Sequence, residues 1–459
     1  MYRLLLFLLI PRVALAAPDP RKATVDKIIA AALAENSAHQ RLAELTDGIG
    51  ARLSGSPQLE KAVLWGVKSF EADHQQNVRA EKVMVPHWVR GAESGSIVAP
   101  VQVNLHLLAL GGSSGTPKGG ITAEVIAVRD FETLDALGAK VKGKIVLFDH
   151  AMPPFGEKGT QYGETVIYRG TGPARAAKLG AVAALVRSVT ARSLRTPHTG
   201  ATRFDARPIP VAAIATEDSA LIGRLLEKGP VRVKLELGAH TLPDAPSANV
   251  VAEIVGREKP DEIVLIGGHL DSWDVGQGAH DDGAGVVMVM ETLRVLRALD
   301  LEPRRTIRAV LFTNEENGLK GAFGYGAAHQ AELSKHFAAI EADTGAFAPL
   351  GFYADANPDG LARLRAMTAL LTSLGATEIE PSEHSGADLT PLLATGATLL
   401  GLKMDASTYF DYHHSEADTL DKVDPLLLQK DVATMAAMTW LLAEEEQALP
   451  AVARKIPTK

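Results

Sequence analysis

The spacing of apolar positions divides the chain into stretches of different texture. Over residues 20–47, Val25, Ile28, Ile29, Ala32 and Leu33 recur at helical spacing, and a further helix is expected near 58–73. Between them, residues 47–57 are rich in turn formers, with Gly48, Gly50, Gly55 and Pro57. Residues 79–102 read as strands, with Val83, Val85 and Val89 apolar. From about 103 to 243 short apolar runs alternate with Gly-rich turns. Strands are expected at 121–128, 144–148, 181–186, 209–213 and 231–237, with helical patterns near 171–179 and 217–227. This block reads as a β-rich domain inserted into another one.

From 247 onward strand and helix alternate. The strands are 262–267, 306–313, 338–342 and 397–404; the helices are 285–299, 319–337, 361–374 and 423–446. The centre of 262–267 is continuously apolar, as in a strand covered on both faces. The pattern predicts an α/β three-layer sandwich with a mostly parallel central sheet. The expected division is 1–16, 17–102, 103–243, 244–449 and a polar tail, 450–459, expected to be disordered.

Composition narrows the chemistry. A chain of 459 residues that is 46% apolar exceeds one ordinary domain, so two are expected. The formal charge is −8 and there is no long Lys/Arg run, which argues against a nucleic-acid partner. Without cysteine there are no disulfides, thiolate sites or cysteine nucleophiles, so any metal ligands are His, Asp or Glu. Arg3, the apolar run 4–10 and Ala14-Leu15-Ala16 read as an export signal over 1–16, which predicts a secreted or periplasmic protein. No later stretch reaches the ~18 uninterrupted apolar residues of a membrane span.

Polar groups gather at the ends of the expected strands, where active sites form in open α/β sheets. His269-Leu270-Asp271 ends the first of them: His269 can bind a metal and Asp271 can orient its ring. His280-Asp281-Asp282-Gly283 precedes the apolar helix. One Asp there serves as an N-cap, but two adjacent carboxylates after a His suit a group that bridges two cations. In Asn314-Glu315-Glu316-Asn317, Glu316 is expected to bind metal and Glu315 to act as general base toward a water held by it. Asp343, in Glu341-Ala342-Asp343, is a further candidate ligand, and so is the His413-His414 pair; Asp418 could hold the loop or the imidazole. Oxygen and nitrogen donors at strand ends suit zinc or a similar divalent ion.

The stretch 269–283, together with 314–318, 341–345, 409–419 and the turn 49–57, resembles the carboxypeptidase Q type of the co-catalytic two-zinc aminopeptidase family. The resemblance implies two Zn2+ per chain. Asp281 would bridge them, with a cis peptide to Asp282; His269 and Asp343 would hold one ion, Glu316 and His414 the other. It further implies Asp271 steering His269, Glu315 as the base, a protease-associated domain at 103–243, a homodimer, and cleavage of dipeptides with free ends. His384 is the candidate for the oxyanion donor, and His280 has no ligand role. Rival readings are a metal-free receptor-like relative, a single-zinc cyclase of N-terminal glutamine, and an aminopeptidase acting on longer peptides. Counting metals separates the cyclase from the peptidases.

Overall fold

The computed structural model of the chain describes residues 19–449, 451 and 453–456; the expected export signal at 1–16 lies outside the described residues. Among the described residues no helix is long and apolar enough to cross a membrane.

The strand Lys259–His269 sits at the centre of the larger sheet. Val264 and Ile266 pack into the core on one face, Ile263 and Leu265 into the core on the other. A run apolar on both faces is satisfied only between two layers. Its parallel neighbours are Arg305–Phe312 on one side and His336–Glu341, then Thr398–Met404, on the other. Antiparallel strands extend the sheet outward: His240–Ile254 and Gln76–Val89 at one end, Pro349–Asp355 at the other, followed by Glu378–Pro381. The sheet is therefore mixed, with its parallel strands in the middle.

The helices Lys22–Ala34, Ser37–Thr46, Ala284–Ala298 and Pro425–Glu444 pack on one another over one face. Ala284–Ala298 is buried almost all round, as its uninterrupted Val-Val-Met-Val-Met run demands. Pro425–Glu444 begins with proline behind a capping Asp424, whose carboxylate accepts from Leu426 N at 2.7 Å and Leu427 N at 3.2 Å. The opposite face is covered more thinly, by Lys320–Ala328 with Leu389 and Leu392.

Two expectations are corrected. The helix expected over 319–337 stops at Ala328, and residues 329–335 turn back so that His336–Glu341 can enter the sheet parallel to its neighbour. The tail beyond Leu449 is docked where it is described. Arg454 N donates to Leu393 O at 2.8 Å, and the Arg454 guanidinium pairs with Asp355 at 3.0 Å.

A second sheet lies between Gln76–Val89 and His240–Ile254 in the sequence. Its order is Val103–Asn104, Glu93–Ala99, Arg232–Leu237, Ile121–Val128, Ile145–Phe148, Ala183–Arg187, Val211–Ile214 and Leu107–Ala109. It has its own apolar clusters, centred on Leu147 and Leu185 on one face and on Val146 and Phe148 on the other. The sheet already takes in Glu93–Ala99, so the second unit begins before residue 103. Both connections to it leave side by side, with Val89 opposite His240 and Glu93 opposite Leu237.

Candidate metal centre

Each of the parallel central strands ends at the same edge of the sheet, and the polar residues just beyond them converge. His269 closes Lys259–His269, Glu316 follows Arg305–Phe312, Asp343 follows His336–Glu341, and His414 lies beyond Thr398–Met404. Asp281 enters from the turn before Ala284–Ala298. The peptide between Asp281 and Asp282 is cis.

Asp281 divides its carboxylate between two groups. Its Oδ1 is 3.1 Å from His269 Nε2, which is itself 3.3 Å from Asp343 Oδ1. Its Oδ2 is 3.2 Å from His414 Nε2, which is 3.1 Å from Glu316 Oε2. Donors held about 2.0–2.2 Å from a tetrahedral zinc stand roughly 3.3–3.6 Å from one another, close to the pairwise distances of His269 and His414 to their carboxylates here. Asp281, Glu316 and His414 also line a cavity of about 10 Å3, room for one ion or one water. Glu316 Oε1 is buried without a hydrogen-bond partner. The donor types and their spacing fit zinc.

The charges support the same fit. Burial disfavours protonation of His414, yet Glu316 and Asp281 push its pKa up to about 9. Burial likewise opposes protonation of His269, but Asp343 and Asp281 raise it well above its ordinary value. Burial would raise Asp281, while hydrogen bonds from His269 and His414 hold it well below the usual carboxylate range. Burial, reinforced by Asp281, lifts Glu316 to about 7. The cluster collects protons to balance buried carboxylates, the task that divalent cations perform in a metal site.

The surrounding side chains fix the ligands through the backbone. Asp282 accepts from His269 N at 2.9 Å and Gly285 N at 3.1 Å, so it caps the helix while its neighbour Asp281 faces the centre. Asp418 accepts from His280 N at 2.7 Å and Asp281 N at 3.1 Å, which holds the loop rather than an imidazole. Arg52, fully buried, donates to Leu270 O at 2.5 Å, Gln277 O at 2.8 Å and Gly278 O at 2.9 Å. It thereby ties the strand end carrying His269 to the loop carrying Asp281.

Asp271 is placed differently from its expected use. His269 Nδ1 is 3.0 Å from the Asp271 main-chain oxygen and 3.9 Å from its carboxylate. The carboxylate instead accepts from Glu315 N at 3.0 Å. Glu315 stands beside this cluster. Burial raises its pKa well above the ordinary value, Asp343 and Glu316 add to that, and His269 opposes it.

His280 is buried and occupied at both ring nitrogens. Nδ1 accepts from Ala346 N at 3.2 Å, Nε2 faces Lys422 O at 3.2 Å, and the ring stacks between Phe347 and Tyr412. His413 stacks on His414 at 3.5 Å, with its Nε2 3.6 Å from Asp281 Oδ2. Asp281, His413 and His414 thus lie close enough together to share an ion, and Glu316 approaches the same group at 3.1 Å from His414 Nε2. His384 is exposed on the loop after Glu378–Pro381. That loop is anchored where Glu341 accepts from Asp388 N and Leu389 N at 3.3 and 3.1 Å. His384 and Asp343 both line a cavity of about 510 Å3, with Tyr353, Glu383 and Arg454. Sequence reasoning did not single out Arg52, nor Tyr162 and Arg169 of the second unit, which also reach the centre. Their contacts join positions 200 or more residues apart, and no spacing signals them.

Residues 249–439 match the model of Peptidase family M28. Carboxypeptidase Q of Xenopus laevis is 41% identical to the chain over 420 residues, 91% of this chain and 88% of that protein. Carboxypeptidase Q of Homo sapiens is 39% identical over 420 residues, 91% of this chain and 87% of that protein. Among solved structures, a peptidase M28 precursor from Shewanella amazonensis SB2B matches with a TM-score of 0.90 at 35% identity, covering 96% of this chain and 99% of that one. BSAP, a zinc aminopeptidase from Bacillus subtilis, matches in fold with a TM-score of 0.64 at 20% identity, over 92% of this chain and 98% of that one.

Proposed function

The chain belongs to peptidase family M28, with the carboxypeptidase Q relatives, and is a zinc metallopeptidase; from that premise we propose that it is a two-zinc exopeptidase hydrolysing dipeptides or short peptides. The observation that carries the reading is the division of Asp281, one oxygen toward His269 and Asp343, the other toward His414 and Glu316. Zinc bound in these two groups would supply Lewis acidity, polarising the scissile carbonyl and making water acidic near neutral pH.

The chain's own residues do the rest. Glu315 takes the proton of the attacking water on its carboxylate and returns it to the leaving amine nitrogen. Asp271 positions Glu315 by accepting its main-chain N–H. Asp418 and Arg52 keep the loop of Asp281 in register with the strand of His269. The cavity beside Asp343 receives the substrate, and His384 on its rim is the donor to the developing oxyanion. The second unit is a protease-associated domain, the enzyme is exported to the periplasm or beyond, and it works as a homodimer. These parts rest on the residue resemblance, and the export also on residues 1–16.

The test is a panel of dipeptides with free, N-blocked and C-blocked ends, assayed alongside elemental analysis and the Glu315→Gln variant. The expectation is two zinc ions per chain in both proteins and turnover of free dipeptides that falls roughly 10²–10⁴-fold in the variant. Near-normal turnover in the variant refutes the role of Glu315; no zinc under metal-replete conditions refutes the whole reading.

A further inference from the structure

The second unit closes one side of the metal centre. Its backbone at 198–200 lies along the loop 413–415. His198 and Ser415 form an isolated bridge, Thr199 N donates to His414 O at 2.8 Å, and His198 Nδ1 is 2.7 Å from His413 O. The Thr199 carbonyl faces the His414 ring, 3.2 Å from Nδ1. Arg169, buried, completes the corner: its Nη1 is 3.0 Å from Thr199 O and 3.3 Å from His414 Nδ1, and its Nη2 donates to Tyr162 Oη at 2.8 Å. The guanidinium lies across Gly200, where a Cβ would stand 2.2 Å from Arg169 Cζ.

Counting hydrogens decides how this corner works. Arg169 carries donors only. If it donated to His414 Nδ1, the ring proton would sit on Nε2. That nitrogen faces Asp281 and Glu316 and could not then be a ligand. A carbonyl oxygen has two lone pairs, so Thr199 O can accept from Arg169 and from His414 Nδ1–H together. That arrangement leaves Nε2 bare.

We propose that Arg169 is a positioning residue for the zinc position formed by Asp281, Glu316 and His414: it pins the Thr199 carbonyl where that oxygen fixes the His414 proton on Nδ1. The inference rests on the two-zinc reading. It adds an asymmetry between the two positions. His269 finds its Nδ1 acceptor in its own unit, at Asp271 O, 3.0 Å away, whereas His414 borrows its acceptor from the second unit. Groups that orient a metal-bound imidazole change metal affinity roughly 10–100-fold when removed.

The experiment uses the full chain as wild type, Arg169→Met, Arg169→Lys and Tyr162→Phe. Each is stripped of metal and titrated with zinc in competition with a chromophoric chelator, with elemental analysis as the count. The wild type should hold two ions. Arg169→Met should keep one at wild-type affinity and bind the other roughly 10–100-fold more weakly. Arg169→Lys should recover part of the loss, and Tyr162→Phe should show a smaller shift of the same position. In the cobalt-loaded protein, the exchangeable imidazole proton of His414 should be visible by NMR in the wild type and lost to exchange in Arg169→Met. Two ions bound by Arg169→Met with unchanged affinities, or equal weakening of both, would overturn the inference while leaving the two-zinc reading intact. A wild type that binds fewer than two ions overturns that reading instead. If Arg169→Met does not fold, unchanged affinities in Tyr162→Phe overturn the inference on their own.

Discussion

Replacing Arg52 by methionine tests the claim that the centre is held together through main-chain carbonyls. The guanidinium is fully buried and satisfies Leu270 O, Gln277 O and Gly278 O. Methionine fills similar volume but donates nothing. A buried acceptor left unpaired costs about 1–3 kcal/mol; Gly278 O keeps its bond from Gly283 N, so the other two set a gross loss of roughly 2–6 kcal/mol. Removing the guanidinium gives some of this back, because burial disfavours its charge even with Asp418, Asp271, Asp282 and Asp281 nearby. Breaking a buried, partnered ionic group nets about 3–5 kcal/mol. At roughly 2–4 °C per kcal/mol that is a fall in Tm on the order of 10 °C. The assay is thermal unfolding of the metal-free protein followed by near-UV circular dichroism, with Arg52→Lys as a control expected to fall between the two. Zinc affinity should drop as well, since His269 and Asp281 are the residues whose spacing Arg52 sets. A Tm drop under about 2 °C in Arg52→Met, with zinc affinity unchanged, refutes the reasoning.

Two further outcomes follow from contacts outside the centre. His329 has Nε2 2.9 Å from Glu81 and Nδ1 3.0 Å from Glu332, and the hydrogen bond to Glu81 raises its pKa against burial. A raised histidine pKa stabilises the fold below about pH 6.5 and loses that contribution as pH rises through the folded value. His329→Gln should therefore cost about 0.5–1 kcal/mol near pH 5.5, a cost that shrinks as pH rises through the raised pKa; a denaturation difference that stays constant with pH contradicts this. Gly111 of the second unit packs against Trp273, where a Cβ would lie 2.4 Å from the indole Cη2. Gly111→Ala should cost about 1–3 kcal/mol by overpacking and shift the tryptophan fluorescence, and an unchanged Tm would show that the interface yields freely.

Much of the centre was legible because each strand end announces itself: a polar residue follows an apolar run that must be buried, so its position along the sheet edge is fixed by the run. That logic reached His269, Glu316 and Asp343 one by one. The pair Asp281-Asp282 was read both as a helix cap and as a bridging carboxylate; the structure gives the cap to Asp282 and leaves Asp281 facing His269 and His414. The acceptor for His269 could not be read, because alternation in an extended chain pointed to the Asp271 side chain, whereas Asp271 lies past the strand end, where its main-chain oxygen is the nearer atom. The helix expected over 319–337 failed because helical spacing cannot register a reversal imposed by the sheet. The strand Pro349–Asp355 went unread for a similar reason, since only its neighbours Thr398–Met404 and Glu378–Pro381 make it a strand. Arg52, Tyr162 and Arg169 have no signature short of the fold itself.

The side-by-side exit of the second unit has a consequence for how the chain folds. Gln76–Val89 and His240–Ile254 must find each other across an excursion of about 150 residues, which for a flexible loop would add loop-closure entropy. Here the excursion delivers its own two ends together, because Glu93 and Leu237 are partners in its sheet as Val89 and His240 are in the other. Once the second unit has collapsed, the long-range pairing becomes as local as a hairpin. Early folding of the intervening segment thus assists assembly of the discontinuous catalytic sheet.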